Sequence, residues 1–341
     1  MKVEAAIMGA DFRDAPNVAE QLERQGLDCG IIFEGPHDPF FPVLLSSQKT
    51  TKLELATGVA IAFARNPMIC AGIAHDLQAY THGRFILGLG SQIKPHIEKR
   101  FSMPWSKPAA RMREFVLAIR AIWNTWETNE RLEFRGEFYT HTLMTPIFNP
   151  GPHPNGLPPI FTAGVGPKMI EVAGEVSDGI YIHPLNTPSF LKDIVMPALE
   201  RGFVSSNRKR EDFQVSLQTL VMMGSNDEEI TAARNKAKGQ LSFYGSTPAY
   251  NVVLQHNGWD HIHPELNRLS KQGKWFEMMG LITDDMLDTI GISGTPGEVG
   301  AKLRERNAPY ADRTMLTMYN ETGDPEAMVD VVRGIKNGDA A

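Results

Sequence analysis

Residues 53–89, LELATGVAIAFARNPMICAGIAHDLQAYTHGRFILGL, decide the fold. The run LELATGVAI at 53–61 is apolar and partly β-branched, so it reads as a strand. Pro67 stands at a tolerated first-turn position and opens a helix over 67–81. RFILGL at 84–89 reads as the next strand. A strand, a helix and a second strand in so short a span make one βαβ unit. Strands that are apolar throughout, rather than alternating, are those of a parallel sheet covered by helices on its faces.

The same rhythm runs outward in both directions. KVEAAIM (2–8) reads as a strand, 15–26 as a helix with Val18 and Leu22 on one face and Gly26 as its stop, CGIIF (29–33) as a strand and 40–50 as a helix. A long helix over 107–126 carries Met112, Phe115, Ile119, Ile122 and Trp126 on one side. Strands at 159–163, 179–182, 213–222 and 313–318 are followed by helices at 167–176, 188–203, 226–240 and 324–336. Eight strand–helix units predict an α/β (β/α)8 barrel, one domain over 1–341, with an open doubly wound sheet as the alternative. Two stretches stand outside the rhythm. Residues 128–158 predict a small hairpin excursion with a Pro/Gly-rich run. Residues 241–295 predict a helical insertion before the last strand, rich in aromatic residues and placed to act as a lid.

Composition narrows the function. The chain has 341 residues, 42% hydrophobic and 22% charged, with 34 basic against 40 acidic residues and a net charge of −6. That is a globular, mildly acidic protein and a poor nucleic-acid binder, which needs a basic surface. The two cysteines, Cys29 and Cys70, are too few for a disulfide framework and read as buried thiols. The first residues show no secretory leader, and no apolar run reaches the ~18 residues of a membrane helix, so a cytoplasmic location without membrane contact is expected.

In a barrel the chemistry sits just after the strands' C-terminal ends. His37, in Glu34-Gly35-Pro36-His37-Asp38-Pro39-Phe40 after the second strand, titrates near neutral pH, and Glu34 or Asp38 could orient it. Gly58, Val59 and Ala60 occupy the third strand, where a glycine marks a bulge or a close approach. Arg65, just before the next helix, is placed to bind an anion or to pair with a carboxylate. Gly88-Leu89-Gly90-Ser91-Gln92 after the fourth strand offers glycines for a flat ligand and hydrogen bonds from Ser91 and Gln92. Gly164-Val165-Gly166-Pro167-Lys168 precedes a helix whose free N–H groups suit a phosphate. His183 follows the sixth strand. A metal reading of His256, His261 and His263 with Asp260 and Glu265 ranks behind a solvated or helix-capping role.

These segments together resemble the bacterial luciferase-like flavin and deazaflavin oxidoreductase superfamily, in its actinobacterial coenzyme-F420-dependent branch. The resemblance rests on His37-Asp38-Pro39-Phe40, on TGVAIAFARNP (57–67), on THGRFILGLGSQIKPHIEKRFSMPW (81–105) and on PPIFTAGVGPKMIEVAGEVSDG (158–179). It implies a barrel with insertions, commonly dimeric. It also implies His37 beside the deazaflavin ring, a cis Gly58–Val59 peptide behind that ring and the cofactor phosphate at 164–168. Gln92 falls near a position where sugar-phosphate dehydrogenases of the family carry an acid, so that activity is not expected. The cofactor-binding set is then Gly58, Val59, Ala60, Arg65, Ser91, Gln92, Gly164, Val165, Gly166, Lys168 and His183, with His37 catalytic and no metal. The expected function is hydride transfer between F420 and a small organic substrate by a homodimer. The alternatives are an FMN-dependent monooxygenase, a non-redox barrel enzyme acting on a phosphorylated substrate, and a non-catalytic F420 carrier.

Overall fold

The computed structural model describes residues 1–7, 11–324 and 326–336. Met8 of the predicted first strand and Pro325 of the predicted last helix lie outside the described residues. Eight parallel strands close on themselves: β1 (Lys2–Ala6), β2 (Cys29–Ile32), β3 (Glu54–Thr57), β4 (Phe85–Gly90), β5 (Ile160–Gly164), β6 (Gly179–Ile182), β7 (Gln214–Met223) and β8 (Arg313–Asn320). Each pairs with its neighbour in sequence, and β8 returns to β1 with Lys2 opposite Arg313. The fold is a TIM barrel.

The helices wrap the outside: α1 (Ala15–Arg24), α2 (Phe40–Ser47), α3 (Pro67–Tyr80), α4 (Pro108–Thr128), α5 (Pro167–Val176), α6 (Met196–Ser206) and α7 (Asp227–Gly245). Local chemistry starts them. Pro67 is the first residue of α3, and the Asn66 side chain accepts from the Met68 N–H at 2.8 Å, satisfying one orphan donor of the first turn. The predicted stripe of α4, Met112, Phe115, Ile119, Ile122 and Trp126, is buried against the strands. Cys29 and Cys70 are free and buried, and burial raises both thiols, Cys70 to about 12.

Three sequence expectations change. The strand read over 53–61 breaks: β3 stops at Thr57, Gly58–Val59 is a cis peptide, and Ala60–Ile61 pairs separately with Leu89 and Gly90. The helix read over 188–203 is interrupted by a wider π-type turn at Leu191–Val195 before α6. The hairpin expected within 128–158 is present as Phe134–Arg135 paired antiparallel with Thr140–His141. The stretch at 241–295 opens as the end of α7 and continues through short helices. It ends in a three-residue parallel strand, Ile292–Gly294, on β7. Thr295 and Glu298 then form a capping box for α8 (Pro296–Asn307), which periodicity did not find, and α9 (Ala327–Lys336) closes the described chain.

The bottom of the barrel, at the strands' N-terminal ends, is sealed by charge. Arg313 is 1% exposed and donates to Glu4, Glu54 and, at 2.9 Å, Gln214. Ser216 donates to Glu4, and Lys2 to Glu54 at 2.5 Å.

Candidate active site

At the opposite end of the barrel lies a cavity of about 1220 Å³. Its walls come from the segments after β3 and β4, from the ends of β5 and β6 and the residues that follow them, from Gln218 within β7 and from 247–250 beyond α7. The β3–β4 corner shows why glycines stand there. Thr57 Oγ1 donates to the Gly88 carbonyl at 2.8 Å and accepts from its N–H at 2.9 Å. A Cβ on Gly88 would lie 1.7 Å from the Thr57 carbonyl oxygen, and one on Gly90 would lie 2.5 Å from Val59 Cγ2. The Val59 side chain therefore packs directly against Gly90. The flanks of the cis peptide are tied to β2, Gly58 N–H to Ile32 O at 2.8 Å and Glu34 N–H to Val59 O at 3.2 Å. Val59, Ala163, Val165 and Ile182 make this wall apolar.

Polar groups reach the cavity at a few points. Gly166 caps α5 with no side-chain bond, and Pro167 is its first helical residue. The N–H groups of Gly166 and Lys168 donate to no protein acceptor among the described residues, and the space beside Gly166 is open. A helix N-terminus with unbonded N–H groups carries partial positive charge and holds an anion. Of the lining lysines, Lys94 is 3.8 Å from Glu98 and Lys107 is 2.6 Å from Glu137, whereas Lys168 meets no carboxylate among the described residues. Among the described residues no aspartate or glutamate lines the cavity. Tyr181, 8% exposed, lines the cavity, and its buried hydroxyl has no partner among the described residues.

Nine of the twelve site residues read from the sequence come together here: Gly58, Val59, Ser91, Gln92, Gly164, Val165, Gly166, Lys168 and His183. Ser91 Oγ donates to the Gln92 carbonyl at 3.0 Å, and Gln92, in the left-handed region at φ 58°, accepts from the Ile93 N–H through its own side chain. Three stand apart from the lining. Ala60 is fully buried against Leu89. Arg65 takes the second of its two expected roles, bonding Glu34 at 2.5 Å and Asp38 at 2.8 Å. Burial opposes its charge, but these two carboxylates outweigh that and raise its pKa. Glu34 and Asp38 are thus engaged with Arg65 rather than with His37. His37 is exposed on the loop after β2, its ring 4.9 Å from that of Phe12.

The sequence reading missed Trp105, Met169, Tyr181, Gln218 and Tyr250 on the lining. Tyr181 carried a signal, a hydroxyl inside the apolar strand GIYI. Among the described residues no three His, Cys, Asp or Glu side chains are grouped for a metal ion. His263 Nδ1 lies 2.8 Å from the Gly245 carbonyl and His256 lies 3.5 Å from Asp193, so both serve the packing of the 241–295 stretch.

A closed barrel with one large apolar cavity at its C-terminal mouth and a few converging polar groups is the architecture of a barrel enzyme. The chain belongs to the luciferase-like monooxygenase family, whose model matches residues 2–313. It is 50% identical over 301 residues to an uncharacterized protein of Mycobacterium tuberculosis, covering 88% of each chain. It is 27% identical over 309 residues to a putative coenzyme F420-dependent oxidoreductase of the same organism, covering 86% of each. Among solved structures it superposes on the coenzyme F420-dependent tetrahydromethanopterin reductase of Methanopyrus kandleri with a TM-score of 0.77. That pair is 18% identical and covers 98% of this chain and 96% of the other.

Proposed function

We propose that the protein is an F420-dependent oxidoreductase that moves a hydride between the deazaflavin and a small, uncharged organic substrate. The observation that carries this reading is the pairing, in one cavity, of an apolar wall with a helix N-terminus whose Gly166 and Lys168 N–H groups meet no protein acceptor among the described residues. The cavity is large enough for a tricyclic ring and a small substrate together, since drug-sized sites run from about 300 to 1,000 Å³. The residues present fit the cofactor. Val59 over Gly90, with Ala163, Val165 and Ile182, would hold the ring, while the α5 N-terminus would hold the phosphate and Lys168 the acidic tail beyond it. Bound F420 would supply the hydride chemistry. The chain's part is to keep water from the ring, orient the substrate against it and handle the proton. We assign the proton to His37, the exposed histidine on the loop after β2 at the same end of the barrel. The residues at 247–250 close one side of the mouth and act as part of a lid. Exposed apolar side chains at Phe41, Ile69, Ile147 and Phe148 favour a homodimer that covers them.

The family description also names monooxygenases, which keeps an FMN-dependent oxygenation as the second reading. Fluorescence titration of the protein with F420 and with FMN separates the two. Tighter binding of F420 supports the proposal, and equal or tighter binding of FMN transfers it to the oxygenase reading.

A further inference from the structure

His183 carries a fixed proton. The Leu185 backbone N–H donates to its Nδ1 at 3.1 Å. A backbone N–H can only donate, so Nδ1 is the acceptor and the neutral ring bears its proton on Nε2. Among the described residues Nε2 meets no protein acceptor, and the residue lines the cavity. Tyr244 and Tyr250 pack against the ring, with centroids 4.5 and 4.3 Å away. Burial lowers the pKa of the ring to about 3, so it stays neutral at physiological pH.

The loop that bears this ring is held from behind. Asn186, 1% exposed, donates through Nδ2 to the His183 carbonyl at 2.7 Å and to the Gln218 carbonyl at 3.0 Å. Its amide can face only this way, because Oδ1 accepts from Arg306 Nη2 at 3.0 Å, as its backbone carbonyl does at 3.2 Å. Arg306 also donates to the Ile290 carbonyl and, through Nη1, to Asn307 Oδ1, both at 3.0 Å. It forms no ion pair among the described residues, and burial lowers its pKa to about 10. A desolvated guanidinium without a carboxylate is costly, and here its donors go to the loop behind a cavity-facing ring.

We propose that His183 is a neutral hydrogen-bond donor to a carbonyl-type oxygen of the molecule bound in the cavity, and that Asn186 and Arg306 are positioning residues that hold its ring and tautomer. The proposal rests on the cavity being the ligand site named above. A neutral donor in a wall without carboxylates suits an uncharged carbonyl group. At neutral pH such a ring orients and polarises the oxygen and leaves proton delivery to another group. The oxygen belongs either to the ring of the bound cofactor or to the substrate.

The test is long-range ¹H–¹⁵N NMR of the full-length, ¹⁵N-histidine-labelled protein at pH 7.5, with His183 assigned by its loss in His183→Gln. The expected pattern is the Nε2–H tautomer. F420 moves the Nε2 resonance if the acceptor is on the cofactor ring. Cyclohexanone, used as a neutral carbonyl probe beside F420, moves it if the acceptor is on the substrate. Arg306→Met and Asn186→Ala are expected to give mixed tautomers while keeping the wild-type circular dichroism spectrum, and Arg306→Lys, which keeps a donor, restores the single tautomer. His183→Leu is expected to weaken the responsive ligand about tenfold, and His183→Gln, which keeps an N–H, to weaken it less. An Nδ1–H or protonated ring, or an Nε2 resonance that neither probe moves, overturns the proposal. A protein that binds neither F420 nor FMN overturns the cofactor reading instead, and the tautomer and cyclohexanone responses are still read.

Discussion

The two ends of the barrel treat polar groups in opposite ways. At the bottom each guanidinium nitrogen of Arg313 donates to a side chain, and Glu4, at 0% exposure, accepts from both Arg313 and Ser216. At the top the N–H groups of Gly166 and Lys168, the Nε2 of His183 and the ammonium of Lys168 have no protein partner among the described residues. Buried polar groups are nearly always satisfied within a fold. Saturation at the bottom therefore marks the end that holds the barrel shut. Donors without a protein partner beside an apolar cavity, at the end where barrel enzymes bind, leave that end free to hold a ligand.

The largest expected effect falls on the bottom. Arg313→Met leaves Glu4 buried without its cation and should cost about 3–5 kcal/mol of stability. Chemical denaturation measures it, and a loss under about 1 kcal/mol would show that the network is not what closes the barrel. At the top, effects should fall on function. His37→Ala should slow oxidation of reduced F420 by any carbonyl acceptor the wild type turns over, by roughly 10²–10⁴, with F420 affinity unchanged. Unchanged turnover would move proton handling away from the exposed β2 loop. Gly166→Val should weaken F420 binding about tenfold or more at an unchanged melting temperature, because a Cβ there meets no protein atom within 4 Å and the added side chain takes space beside the proposed phosphate seat. Normal binding by this variant would empty that seat of meaning. The smallest effect belongs to Lys168→Ala, a roughly threefold loss of F420 affinity at low salt that fades at high salt, since exposed charges are screened. A salt-independent loss would show contact rather than charge.

The same contrast explains what the sequence displayed. Eight strands were legible because barrel strands are buried on both faces and stay apolar along their length, as in CGII and FILGLG. The strand Ile292–Gly294 was not, since three residues carry no pattern. The glycine-rich strand ends were legible as a site because Gly88 and Gly90 serve close approaches that a side chain would block. Trp105 and Tyr250 were not, because each arrives on a loop whose path is set by distant packing. Arg65 shows the limit most plainly. A cation at a strand end reads alike whether it awaits an anion or holds Glu34 and Asp38, and only the fold shows the second. The bottom network was illegible for the same reason, as Glu4, Glu54 and Arg313 come from β1, β3 and β8, far apart in the sequence.

Hydrogen exchange at the amides of Gly166 and Lys168, with and without F420, tests most directly that the top of the barrel is a cofactor seat. These N–H groups lack acceptors in the protein alone and should exchange fast. With F420 bound they should slow, while the amides around Glu54 and Arg313 at the bottom keep their rates. Protection that appears at the bottom, or none at residues 164–168 when F420 is bound, would contradict the assignment of the two ends.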